Sequence, residues 1–134
     1  MKKLSLVIFL SSIILAFPAH ALNCQNPQTQ MDINQCATNE LGIETGKINA
    51  TYGAVRKKAT AEQKQQLKAV QLAWIKFKDL SCSFQASLVE GGSLHSAVVS
   101  ACLVEMTKHR NQELEAMLNC QEGDVGCPIP PVSD

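Results

Sequence analysis

The chain has 134 residues, with 12 Lys and Arg balanced by 12 Asp and Glu, six cysteines and only 4% aromatic residues. That length is enough for one domain with one core. The balanced charge, with no dense basic face, excludes a nucleic-acid partner.

The chain opens as an export signal. Lys2 and Lys3 form a positive start, Leu4 to Phe17 an apolar run, and Ala19-His20-Ala21 a small-x-small site with cleavage expected before Leu22. A retained anchor is the alternative, but a spanning helix needs about 20 apolar residues and this run is shorter and broken by Ser11 and Ser12. A lipid anchor on Cys24 is disfavoured because Asn23 stands where a small residue is wanted. No integral membrane segment is therefore expected after cleavage, and the protein is expected to be periplasmic or secreted. Residues 1–21 carry two of the 12 basic residues and none of the 12 acids, which leaves 10 against 12 and a net charge of −2.

Three helices are expected, with no strand-like alternation, so the fold class is all-α. The first runs over about 30–58, opened by a capping box of Thr29 with Asp32 and carrying Ile33, Ala37, Leu41, Ile48, Tyr52 and Val55 at helical spacing. Gly42, Gly46 and Gly53 within it read either as a close helix crossing or as weak local structure. The second helix runs over about 61–90, opened by Thr60 with Gln63. Its expected buried seam is Leu67, Val70, Trp74, Phe77, Ser81, Phe84 and Leu88, ended by Gly91-Gly92. Ser93 is expected to cap a third helix over about 94–118, buried through Leu94, Ala97, Val98, Ala101, Met106, Leu114 and Met117. Residues 119–134, rich in Cys, Pro and Gly, form an irregular tail, so the expected layout is a leader (1–21), a helical domain (22–118) and a tail (119–134). Short turns make consecutive helices antiparallel, giving a disulfide-bonded three-helix bundle.

Cys24, Cys36, Cys82, Cys102, Cys120 and Cys127 all follow the leader, and an even count in a short exported chain reads as a disulfide framework. Cys82 and Cys102 stand at nearly equal distances from Gly91-Gly92, so they should meet across the hairpin. Cys36 joined to Cys82 is the rival pairing; Cys24–Cys36 and Cys120–Cys127 complete the first scheme.

The residues Asn23-Cys24, Cys36, Ile48-Asn49, Tyr52 and the segment Gln71-x-x-Trp74-x-x-Phe77-Lys78-Asp79-x-x-Cys82 resemble the LprI-like lysozyme-inhibitor domain of exported bacterial proteins. The resemblance continues through Gly91-Gly92-Ser93, Cys102, Thr107, Arg110 and Leu114, and covers about residues 23–118. It implies a protein partner, lysozyme first among the candidates, and inhibition rather than catalysis. Cys120 and Cys127 are additions to that pattern, and the lipid anchor of the founding member's type is missing.

Most single residues have a structural reading. Trp74 and Phe77 are expected in the core, and Gln71, Lys78 and Asp79 in a hydrogen-bond network between helices. Arg110 is expected to pair with Glu113 or Asp79. His95 and His109, the two histidines after the leader, do not make a metal site, and no cofactor is implied. Asn49-Ala50-Thr51 matches a glycosylation sequon by chance. No nucleophile elbow or paired carboxylates suggest catalytic residues, and thiols held in disulfides cannot act as nucleophiles. Gly91, Gly92, Ser93 and His95 are the candidate partner-binding residues, because small residues at a braced turn let another protein approach the backbone. The alternative function is a periplasmic structural, assembly or immunity-type factor that binds another envelope protein.

Overall fold

The computed structural model describes residues 22–129; the expected signal segment and the last five residues, including Pro130 and Pro131, lie outside them. Three α-helices appear in the order α1 (Gln30–Lys58), α2 (Ala61–Gln85) and α3 (His95–Leu118), with a short 3-10 turn at Ser87–Val89. There is no strand among the described residues. The class is all-α, as the absence of alternation required.

Both expected capping boxes form. The Thr29 hydroxyl accepts from the Asp32 amide while the Asp32 carboxylate accepts from the Thr29 amide, and Thr60 and Gln63 repeat the exchange at α2. Each box satisfies two of the amides that a helix start leaves unpaired. Two other boundaries differ from expectation. α2 stops at Gln85 and continues as the 3-10 turn, short of residue 90. Ser93 does not cap α3: the N-cap is Leu94, and no side chain caps it. The chain turns sharply enough through Gly91, at φ 75°, and Gly92 for backbone bonds to span the corner, from Gly92 N–H to Val89 O and from His95 N–H to Gly92 O.

Consecutive helices run antiparallel, so α1 and α3 run parallel. Asn34 donates to the Ser93 carbonyl at one end, and Val55 meets Leu114 in the core near the other. The main packing is between these two parallel helices; α2 lies against α3 over a smaller area. The centre of the core is Ile48, Val55, Ala59, Leu114 and Ile129, with Tyr52, Leu67, Trp74 and Met117 packed around it.

α3 carries two buried faces. Ser100, Val104, Thr107, Asn111 and Leu114 recur in steps of four and three, and all are buried. On a helix this is one stripe, and it faces α1. Cys102 and Arg110 point instead to α2, through a disulfide and through a hydrogen bond to Gln71. The expected apolar set for α3 is thus only partly right. Leu94 and Ala101 are exposed, while Ser100, Thr107 and Asn111 take core places. On α1, Glu44 does the same, buried between Leu41 and Ile48 and paired with Lys47 Nζ at 2.7 Å. Gly42, Gly46 and Gly53 have nothing close to where a side chain would begin, so no tight helix crossing depends on them.

The expected seam of α2 needs the largest correction. Leu67 and Trp74 do pack on the core. Val70, Phe77, Phe84 and Leu88 do not: Phe77 is 62% exposed, Phe84 82% and Leu88 98%. The spacing is helical, but α3 covers only the flank of the stripe that holds Leu67, Trp74 and Cys82. Replacement by alanine separates the two classes. Leu114→Ala, at a fully buried site, should lower unfolding free energy by about 3 kcal/mol through the cavity it leaves. Phe77→Ala should stay within about 0.5 kcal/mol of wild type. Urea unfolding followed by circular dichroism measures both.

Candidate functional site

All six cysteines are paired. Cys24–Cys36 has its Cα atoms 5.4 Å apart, Cys82–Cys102 5.5 Å and Cys120–Cys127 5.8 Å. The pairing across the hairpin is the expected one, and the rival Cys36–Cys82 link is not formed. Cys82 is fully buried, with Met106 Sδ 3.6 Å from its Sγ, so this disulfide lies inside the α2–α3 interface.

The candidate residues at the hairpin end lie together on the outside of the molecule. Gly91, Gly92 and Ser93 are exposed, and His95 is half-buried in the first turn of α3. The bland account of the glycines has direct support: Gly91 adopts left-handed backbone, and a Cβ on Gly92 would sit 3.1 Å from the Val89 carbonyl oxygen. Turn geometry alone therefore requires them. Around this corner stand the exposed side chains of Phe84, Leu88 and Leu94. Sequence reasoning placed Phe84 and Leu88 in the core; their true signal was the glycine pair just beyond them, where the helix has no partner left to cover it.

Two of the three disulfides brace this same end. Cys82–Cys102 ties α2 to α3 below the turn, and Cys24–Cys36 fastens the leading segment onto the start of α1. Asn34, two residues before Cys36, reaches the Ser93 carbonyl at 3.4 Å. The turn is consequently linked to all three helices.

The motif from Gln71 to Cys82 is mostly structural. Gln71 Oε1 accepts from Arg110 Nε at 3.2 Å, joining α2 to α3 as expected for an inter-helix network. Trp74 packs on the core, with Lys78 Nζ 5.4 Å from its ring centre. A cation over an indole face is attracted to it. Lys78 and Asp79 stay on α2, paired with each other at 3.3 Å. Arg110 takes Glu113, at 2.6 Å, as its acidic partner and not Asp79. Phe77 is the motif member that packing does not explain.

Lys108 of α3 bonds Glu40 of α1 at 2.8 Å. That carboxylate hydrogen bond, aided by the charges of Glu40, Glu105 and Glu44, raises the ammonium above its usual pKa. The Lys108 ammonium therefore stays charged across the neutral range. On the lysine side, the attraction is lost as alkaline pH passes the raised value. Among the described residues no three or more His, Cys, Asp and Glu side chains are placed to hold a metal ion, and no helix is long and apolar enough to cross a membrane.

The described residues form a small all-α scaffold, cross-linked by three disulfides, with the α2–α3 corner exposed. Residues 23–114 match the family model described as lysozyme inhibitor LprI, and the chain belongs to that family. It is also 30% identical over 113 residues to an uncharacterised protein of Rhizobium meliloti (strain 1021), an alignment that covers 75% of this chain and 81% of the relative. No solved structure matches the chain. The match stops before Cys120, so the bridged tail lies outside the matched residues.

The hairpin disulfide has a measurable weight. Closing a loop of about 20 residues should contribute roughly 3 kcal/mol, mainly by restricting the unfolded chain. Replacing Cys82 and Cys102 together with alanine should lower urea-unfolding stability by about that amount. Non-reducing peptide mapping of the wild type should return Cys82 joined to Cys102.

Proposed function

We propose that the protein is exported, cleaved before Leu22, and inhibits a lysozyme-type muramidase by docking the end of its α2–α3 hairpin on the enzyme. Family membership carries this reading. Three features support the hairpin as the contact. Gly91, Gly92 and Ser93 leave backbone accessible. Phe84, Leu88 and Leu94 give that corner exposed apolar surface, which interface centres use. The disulfides hold the corner rigid before binding, so less conformational freedom is lost on association.

Occlusion is the inhibitory route. The narrow corner enters the sugar-binding cleft, with Ser93 and His95 offering polar groups to the catalytic carboxylates there. A net charge of only −2 after cleavage supplies little long-range steering toward a basic enzyme. Shape and short-range contacts therefore dominate, and inhibition should depend weakly on salt.

The test is a wall-clearing assay with lysozyme and increasing protein. Wild type should slow clearing, and Ser93→Ala with His95→Ala should raise the half-inhibitory concentration about tenfold, equivalent to ~1.4 kcal/mol. Leu88→Asp should do the same, with the melting temperature unchanged in each case. Trp74→Ala, at a partly buried site, should instead cost about 2 kcal/mol of stability while the folded fraction still inhibits. A wild type that leaves lysozyme untouched at large molar excess returns the chain to the class of envelope assembly or immunity factors.

A further inference from the structure

The ten cations that follow residue 21 divide into two sets of five. In the first, Lys47, Lys78, Lys108 and Arg110 are each ion-paired with a carboxylate, and Lys76 is the exception. The second set is Arg56, Lys57, Lys58, Lys64 and Lys68, which share residues 56–68 with one acid, Glu62. None of these five has an ion-pair partner among the described residues. Acids are not scarce in the chain, so the lack of pairing is particular to this end of the bundle.

Three of the unpaired cations converge. Arg56 and Lys57 lie in the last turn of α1 and Lys64 at the end of the first turn of α2. Together with Gly53 they line one open groove beside the turn at Ala59 and Thr60. Gly53 has free space where a side chain would begin, so the groove stays open above it. The two cations of α1 have a local use, since the carbonyl end of a helix attracts positive charge. Lys64 has none. The start of a helix favours an acid, and Lys64 and Lys68 are like charges one turn apart on the same helix. Both placements oppose folding of the free chain, and an anion held between the two helices would offset them.

Two helices that present cations to one space suit a ligand with more than one charge. We propose that the groove of Arg56, Lys57 and Lys64 binds a phosphate-bearing ligand that carries at least two negative charges. The planar fork of Arg56 matches two phosphate oxygens, while Lys57 and Lys64 act as point charges on either side of the groove. A monocarboxylate has one charge and two oxygens in a single plane, so it serves one helix and leaves the other unanswered. The cluster is a single groove and not the extended basic face that nucleic acid needs. A lipid headgroup and a soluble phosphate ester share the required chemistry. The groove lies at the opposite end of the bundle from the α2–α3 corner, so it stands independently of the inhibitor reading.

The experiment titrates the oxidised protein with sodium pyrophosphate and with sodium acetate at one ionic strength, so that general screening is constant. The amide nitrogen–proton signals of Gly53, Arg56, Lys57 and Lys64 report binding. Pyrophosphate should shift them saturably, with affinity at least about tenfold above that of acetate. Lys64→Gln and Lys57→Gln should each weaken pyrophosphate binding about tenfold while keeping the wild-type circular dichroism. Lys57 is exposed, so its replacement tests the groove without disturbing packing. Lys76→Gln removes an equal charge from α2 outside the groove and should leave the affinity unchanged. Sedimentation with phosphatidylcholine vesicles, plain or containing phosphatidic acid, separates the two sources. Binding to the phosphatidic acid vesicles that Lys64→Gln abolishes places the phosphate on a lipid; pyrophosphate binding without vesicle binding places it on a soluble ester. The proposal is overturned by absence of saturable shifts up to roughly 10 mM pyrophosphate, where binding is already weak. Equal affinity for acetate overturns it as well, as does a loss in Lys76→Gln that matches the loss in Lys64→Gln.

Discussion

The architecture depends on the Cys82–Cys102 bond. α2 is 25 residues long, yet Cys82 is its one buried residue. A helix normally holds its place by burying an apolar stripe, and here that stripe is covered along only one flank. The disulfide supplies the missing constraint near the hairpin. At the opposite end, Leu67 and Trp74 on the core and Gln71 on Arg110 supply the rest. Because α2 is fixed along that one flank, the rest of the stripe need not be covered, and Phe77 and Val70 can face water without the helix leaving the bundle. A core this small is the circumstance in which disulfides substitute for apolar burial.

The α1–α3 interface is of a different kind. It has greater extent, but it is interrupted by Glu44, Ser100, Thr107 and Asn111. Thr107 Oγ1 and Asn111 Oδ1 are buried without partners among the described residues, while Asn111 Nδ2 bonds Glu115 at 2.7 Å. Such positions cost stability relative to an apolar seam. They also restrict the register, since a slid α3 would have to bury the same polar groups among different neighbours. Lys108 on Glu40 reinforces that register from the rim.

What the sequence made legible follows from how local each signal is. The capping boxes at Thr29 and Thr60 depend on three adjacent residues, and both formed. The hairpin disulfide depends on two equal helical distances, and it too formed. Helical periodicity, in contrast, reports that a face is apolar and not that anything covers it, so Val70, Phe77, Phe84 and Leu88 were assigned to a core they do not enter. The converse error occurred on α1 and α3. Glu44, Thr107 and Asn111 occupy buried stripe positions, and a count of apolar residues passes over them. Ser93 misled for a third reason: the backbone bonds of the glycine turn already close the corner, and α3 begins without a side-chain cap. Of the candidate binding residues, the turn was readable from Gly91-Gly92. The apolar side chains beside it were not, because their exposure is decided by where α3 ends its contact with α2.

The distribution of cross-links gives the two ends of the molecule different mechanical characters. The hairpin corner is joined to α2 and α3 by Cys82–Cys102 and to α1 by the Asn34 bond beside Cys24–Cys36, so its shape is fixed before any encounter. The far end is closed by a tail whose own bridge, Cys120–Cys127, joins two tail positions and no second helix. Ile129 and Pro128 rest on the bundle through apolar contact and one hydrogen bond from Gln63. Local opening takes least free energy where few buried contacts must be broken, which places it at the tail and not at the corner. A surface that must fit a rigid cleft gains from the first arrangement, since pre-ordering lowers the entropy lost on docking.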